Sequence, residues 1–193
     1  MKASLEQEYQ QAKKKSAKPM LWFSLISMAM MFAGLTSAYV VSRKRGDWVA
    51  FDLPDAFFIS TLLIVLSSLG FVGAKRAIKQ DKRSLTSRFL SLTFLLGLGF
   101  IFYQFQGFRE LYNEGLVFAG KDSTVKSSFL YGITLLHLLH IVAGMVVLTV
   151  VLFRHLKGRY SSKDFLGLEL GAIFWHFVDL LWVYLVLFFY FIR

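Results

Sequence analysis

Apolar residues in this chain gather into five long blocks, near positions 20–42, 56–75, 87–107, 128–153 and 168–192, separated by short stretches that hold most of the charge. About 20 apolar residues coiled as an α-helix rise about 30 Å, the thickness of a bilayer's hydrocarbon core. Each block therefore predicts one membrane-crossing helix, and the pattern as a whole predicts an all-α integral membrane bundle of five helices. The connections Arg43 to Asp55, Lys75 to Arg88, Phe108 to Ser127 and Arg154 to Gly167 are too short to form domains of their own. Residues 1–19 stand apart as a polar segment, expected as a polar helix or as a basic tail lying against anionic lipid. Residues 20–193 are expected to form one membrane domain.

An odd number of helices puts the two termini on opposite sides, so the distribution of cations decides orientation. The amino-terminal segment with the second and fourth connections carries 15 Lys and Arg, against 7 for the first and third connections with the carboxyl terminus. Positive charge is retained on the cytoplasmic side. The expectation is a cytoplasmic amino terminus and an outside carboxyl terminus. The same clustering changes how the net charge of +10 is read: the cations flank apolar runs, which orients helices and does not indicate nucleic acid. Glu6, Glu8 and Lys13 to Lys15 ahead of Pro19 do not form the apolar core and small-residue site of a cleavable signal, and none is expected.

Composition narrows the chemistry. With 56% hydrophobic residues the chain has more apolar surface than a small soluble core could bury, and with no Cys it has no thiolate for zinc, for an iron–sulfur cluster or for covalent haem. Any metal held here would depend on histidine. Small residues such as Gly34, Gly70, Gly97 and Gly144 are spread through the spans and favour close helix packing. No internal repeat is evident, which argues against a transporter built from inverted repeats.

Polar and ionisable groups inside a membrane are costly and mark candidate functional positions. They concentrate in the last two blocks: Thr134, His137 and His140 in the fourth, Glu169, His176 and Asp179 in the fifth. His137 and His140, three apart, share a helix face, as do His176 and Asp179. Counted from the cytoplasmic ends at 1.5 Å per residue, His140 lies roughly 20 Å deep and Asp179 roughly 16 Å deep. A carboxylate near the midplane is far cheaper when an imidazole bonds to it or when it keeps its proton. Glu169 is expected at the cytoplasmic interface.

Three readings compete for these side chains. Two haems on bis-histidine ligands need two well-separated levels, whereas His137 and His140 differ in height by only about 4.5 Å; a single haem between His140 and His176 stays open. A carboxylate–histidine metal site is left short of ligands by the order His176-x-x-Asp179. A hydrogen-bonded network of His137, His140, His176, Asp179 and Thr134 tying the fourth and fifth helices together needs no cofactor, and it is the reading preferred on the residues alone.

The fifth block reads Glu169 followed by Trp175-His176-Phe177-Val178-Asp179 and Trp182; the fourth reads Thr134-x-x-His137-x-x-His140 with Gly144 four residues on. Together they closely resemble subunit III of cytochrome c oxidase and its quinol oxidase relatives, with agreement extending to Ser60-Thr61 and Ser67-Ser68 in the second helix and to Leu95 through Gln104 in the third. Two features depart from the family. Its longer form has seven helices and this chain is expected to begin at the third, leaving the lipid-holding cleft absent or completed by another subunit. Met28 and Gly107 stand where relatives commonly carry Glu, so no proton-carrying role passes to those positions.

The resemblance implies a subunit with no catalytic centre, cofactor or metal of its own, in a bacterial inner membrane. Haem and copper would sit in partner subunits of a proton-pumping terminal oxidase. The implied partners are catalytic subunit I, subunit II and membrane phospholipid, not nucleic acid, and Glu169, Trp175 and Trp182 are implied as interface or lipid contacts. The alternatives are subunit III of a quinol oxidase, or a similar accessory protein of a nitric oxide reductase; from another class, a free-standing small transporter or cytochrome.

Overall fold

The computed structural model describes residues 2–43, 53–120 and 123–192, and these form five helices with no strand among them. They are α1 (Lys2–Ser42), α2 (Asp55–Lys79), α3 (Arg83–Asn113), α4 (Val125–Leu156) and α5 (Leu166–Phe191). Each contains a segment long and apolar enough to cross a membrane. The helices overrun the apolar blocks, by six residues at the end of α3 and by eighteen at the start of α1, because nothing in the charged flanks breaks them. What stops them is local chemistry: Pro54 ahead of α2, Gly115 and Gly158 with positive φ after α3 and α4, and Asp81 at φ 54° between α2 and α3. Asp tolerates that left-handed conformation better than most side chains. Helix α1 runs through Pro19 without interruption. Trp48 lies outside the described residues.

Helix α5 packs against α1, α2 and α4; α3 packs against α2 and α4; among the described helices α1 packs against α4 and α5. The shared core holds Phe32, Tyr39, Phe57, Phe71, Phe100, Trp175 and Trp182. The α2–α3 pair is the closest in the bundle, and Gly70 explains why: a Cβ there would come within 2.7 Å of Thr93 Oγ1. Gly107 packs on the ring of Phe57 so tightly that even a Cβ would collide with it. A larger residue at this position would require Phe57 to move, so the glycine and the phenylalanine form a matched pair.

One end of the bundle collects the basic segments. There Lys14 pairs with Asp164 at 2.7 Å, His155 Nε2 lies 3.2 Å from the Arg83 carbonyl, and Asp81 accepts from the backbone N–H and hydroxyl of Ser162. These two hydrogen bonds hold the Asp81 carboxyl below the usual carboxylate range. At the other end Thr124 and Ser127 close a reciprocal cap on α4, and Tyr131 donates to the carbonyls of Phe108 and Leu116.

Candidate functional site

The polar face of α5 is built against α2. Trp175 is 1% exposed and donates its indole N–H to Ser67 Oγ at 2.9 Å; two turns on, Trp182 donates to Thr61 Oγ1 at 3.0 Å. Both hydroxyls are oriented by their own helix. Ser67 donates to the carbonyl of Ile64 and Thr61 to that of Phe57, each at 2.7 Å, which leaves an oxygen lone pair free to accept. Ser60 repeats the arrangement from the other side, donating to the Phe57 carbonyl while it accepts from Gln104 of α3. Thus α2 carries two hydroxyl pairs seven residues apart, and its neighbours anchor on them. Each such bond inside a membrane contributes about 0.6 kcal/mol.

The slot for Trp175 is cut by glycines on the other two helices. A Cβ on Gly97 of α3 would lie 3.0 Å from the indole, and one on Gly144 of α4 would lie 3.2 Å from it. One side chain is therefore in contact with three helices at once, bonded to α2 and fitted between α3 and α4.

The fourth helix behaves differently. His137 is 0% exposed, stacked on Trp182 with centroids 5.2 Å apart, and met edge-on by Phe32 and Phe100; neither ring nitrogen has a hydrogen-bond partner. Thr134 Oγ1 is likewise buried and unpartnered. His140 is half-buried, bonds through Nδ1 to the Leu136 carbonyl of its own helix, and meets the edge of Phe32. Asp179 is 4% exposed with neither carboxyl oxygen hydrogen-bonded. His176, half-buried, makes a 2.6 Å contact from Nδ1 to Ser68 Oγ.

The five polar residues grouped from the sequence thus do not share one set of partners. His176 is brought to Ser68 on α2; His137 rests on the Trp182 ring; His140 turns to its own backbone beside α1; Thr134 and Asp179 are buried without a hydrogen-bonding partner. Among the described residues no direct hydrogen bond joins His140 to Asp179, and the side-chain hydrogen bonds that link α5 to the bundle's interior run to α2 and, from Tyr184 to Thr36, to α1, not to α4. The receiving row of Ser60, Thr61, Ser67 and Ser68 was present as a seven-residue repeat of hydroxyl pairs, the signal that could have identified it. Glu169 sits at the basic end, paired with Lys18 at 2.8 Å and Lys75 at 3.8 Å. Among the described residues no three His, Asp or Glu side chains come together as a metal site.

Beside this row, α1, α4 and α5 enclose an apolar groove of about 370 Å³ lined by Leu21, Val147, Val150 and Phe174. Arg154 and Tyr160 line both that groove and a more polar cavity that also holds Lys14 and Arg159.

Residues 2–193 match the family model described as cytochrome c oxidase subunit III. Cytochrome c oxidase subunit 3 of Corynebacterium diphtheriae is 31% identical over 172 residues, covering 85% of this chain and 82% of that protein. The probable cytochrome c oxidase subunit 3 of Rickettsia prowazekii is 33% identical over 154 residues, 76% of this chain and 53% of that protein. Cytochrome bo(3) ubiquinol oxidase subunit 3 of Pseudomonas putida is 28% identical over 166 residues, 84% and 79% respectively. The chain spans about half the length of several of the curated relatives it matches.

Proposed function

This chain belongs to the cytochrome c oxidase subunit III family, and from that premise we propose that it works as the non-redox third subunit of a proton-pumping haem-copper terminal oxidase in a bacterial inner membrane. The observation that carries the reading is the family match along residues 2–193. Electron transfer and oxygen chemistry belong to partner subunits I and II, which hold the haem and copper. This subunit stabilises the catalytic one and sustains its proton uptake. Its amino-terminal segment 1–19 faces the cytoplasm and its carboxyl terminus faces outside, supported by the gathering of basic segments at one end of the bundle.

Within that subunit the buried polar residues act in helix-to-helix cohesion. Thr134, His137, His140, His176 and Asp179 hold the interior, while Trp175 and Trp182 fix α5 in register. Glu169 joins α1 and α2 at the membrane surface. A phospholipid lies against the subunit, supported by the cationic Lys14, Arg154 and Arg159 beside an apolar groove.

Solubilisation in mild detergent tests the assignment. A haem- and copper-bearing catalytic subunit is expected to accompany this chain, and oxidase activity in its absence is expected to decay over prolonged turnover. A lone, stable chain, with activity undiminished through prolonged turnover after its deletion, would overturn the reading. The Pseudomonas putida relative favours a second one, a quinol oxidase; the electron donor accepted by the co-purified complex separates the two.

A further inference from the structure

We propose that His155 is a pH-sensitive latch, which holds the end of α4 against the start of α3 while its ring carries one proton and lets go when the ring takes a second. The latch is built from side chains of this chain alone and does not depend on which oxidase the chain serves.

His155 is 4% exposed in the last turn of α4, and its Nε2 lies 3.2 Å from the Arg83 carbonyl and 3.1 Å from Ser87 Oγ at the start of α3. The Ser87 hydroxyl donates its own hydrogen to that same carbonyl, at 3.1 Å. A carbonyl only accepts, and a serine whose hydrogen is already given can only accept from a further neighbour. Nε2 therefore carries the ring's hydrogen and shares it between the two oxygens, which leaves Nδ1 bare. Nδ1 is buried and has no hydrogen-bonding partner. A second proton has to go to Nδ1, where no acceptor meets it, so the charged ring finds a full set of partners only by leaving its seat for water.

A second link spans the same two segments and does not switch. Asp81, in the turn between α2 and α3, accepts from the backbone N–H and hydroxyl of Ser162 in the connection after α4. Those bonds hold its carboxyl below the usual carboxylate range, so it stays ionised where histidine titrates. The other charged or titratable side chains on the segments that meet here are Arg83 of α3, Arg154 of α4, and Arg159, Tyr160 and Lys163 of the connection. From the neighbouring helices, Lys14 of α1 is bound to Asp164, and Glu169 of α5 to Lys18 and Lys75. Among all of these, histidine is the one side-chain type that ordinarily titrates between about pH 5 and 8.

A histidine released into water takes its second proton at about pH 6.5. Above that pH the latched and released forms hold equal numbers of protons, and acidity does not move the balance between them. Below it the released form holds one more, so the latch weakens about tenfold for each pH unit. The basic end then loosens on acidification while the apolar bundle beyond it stays closed. The structural alternative is a fixed peg, a buried ring that joins α3 to α4 equally well at every pH.

Amide hydrogen exchange of the full chain with its companion subunits, read by mass spectrometry and corrected for the intrinsic effect of pH, separates the two. Residues 84–88 and 155–163 are expected to lose protection about tenfold per unit below about pH 6.5, while residues 172–186 at the centre of α5 keep theirs. His155→Gln retains an N–H donor for the Arg83 carbonyl but cannot take a charge. It is expected to match the unsubstituted protein at about pH 7.5 and to show no loss down to about pH 5.5. Ser87→Ala removes one of the two acceptors and keeps the titrating ring, so it is expected to be less protected at every pH with the same slope. Protection that stays flat between about pH 7.5 and about pH 5.5 in the unsubstituted protein would overturn the latch, as would an equal loss in His155→Gln.

Discussion

The α2-facing and α4-facing sides of α5 solve the same problem in opposite ways. Toward α2, indole and imidazole groups meet hydroxyls oriented by their own helix, and the polar atoms are largely paired. Toward α4, His137 and Thr134 are as deeply buried but unpaired, and the contact is aromatic stacking on Trp182. A buried polar residue in a membrane helix therefore need not be held by hydrogen bonds. Its ring can be the part that packs.

The contrast can be broken most severely at Trp175. Trp175→Ala removes the side chain that α2, α3 and α4 share and is expected to cost about 3–5 kcal/mol, typical of an aromatic deleted from a core. Folded yield and resistance to chemical unfolding in detergent measure it. A cost near that of an ordinary surface change would show that the three-helix slot is not what holds the bundle.

Ser67→Ala tests the hydrogen-bonded side alone. It leaves the Trp175 ring in place and removes its acceptor, so a loss of about 0.6 kcal/mol, and no more than about 1.7, is expected in the same unfolding measurement. His137→Phe tests the stacked side. With no hydrogen bond to lose and a ring of similar shape, it is expected to fall within about 1 kcal/mol of the unsubstituted protein, in either direction. A penalty above about 1.7 kcal/mol, the upper bound for a membrane hydrogen bond, would reverse the comparison and assign His137 a polar partner.

The smallest expected effect lies outside the membrane. The folded-state pKa of Asp81 is depressed by its bonds to Ser162, so its stabilisation is present above the unfolded value near 3.9 and is lost as pH falls through the lower folded value. Asp81→Asn keeps a residue that tolerates the positive φ. The difference in thermal midpoint between the two proteins is expected to be constant above about pH 5 and to shrink below about pH 4. A difference that grows on acidification would exclude this account.

Much of the fold was legible from hydrophobic runs, because a span must be apolar over a length fixed by the bilayer. Helix ends were less so, since charged flanks form helix as readily as apolar ones and only Pro54, Asp81 and the terminal glycines stop them. Within the site, His137, His140, His176 and Asp179 were recognisable as costly. Their neighbours were not, because spacing along one helix fixes which residues share a face and not which helix that face meets. Helix α5 lies between α2 and α4, and its tryptophans donate to α2, where Ser60, Thr61, Ser67 and Ser68 read only as points of agreement with the family until their partners are seen. Gly107 read as the loss of a carboxylate; against Phe57 it is a packing requirement.

The peripheral place of α1 constrains the order in which the protein comes together. Leu25, Phe32 and Tyr39 recur every seventh residue as its buried stripe, yet among the described helices α1 packs against α4 and α5, made after the α2–α3 hairpin. The α2–α3 hairpin closes across a turn of three residues and can form as soon as it is synthesised. Helix α1, made before α4 and α5, must wait in the membrane until they arrive, and closing that long interval is the entropically expensive step. A chain stopped before Leu166 keeps the hairpin but lacks Glu169 and Tyr184, which bind Lys18 and Thr36. Completion of the last helix is what recruits the first.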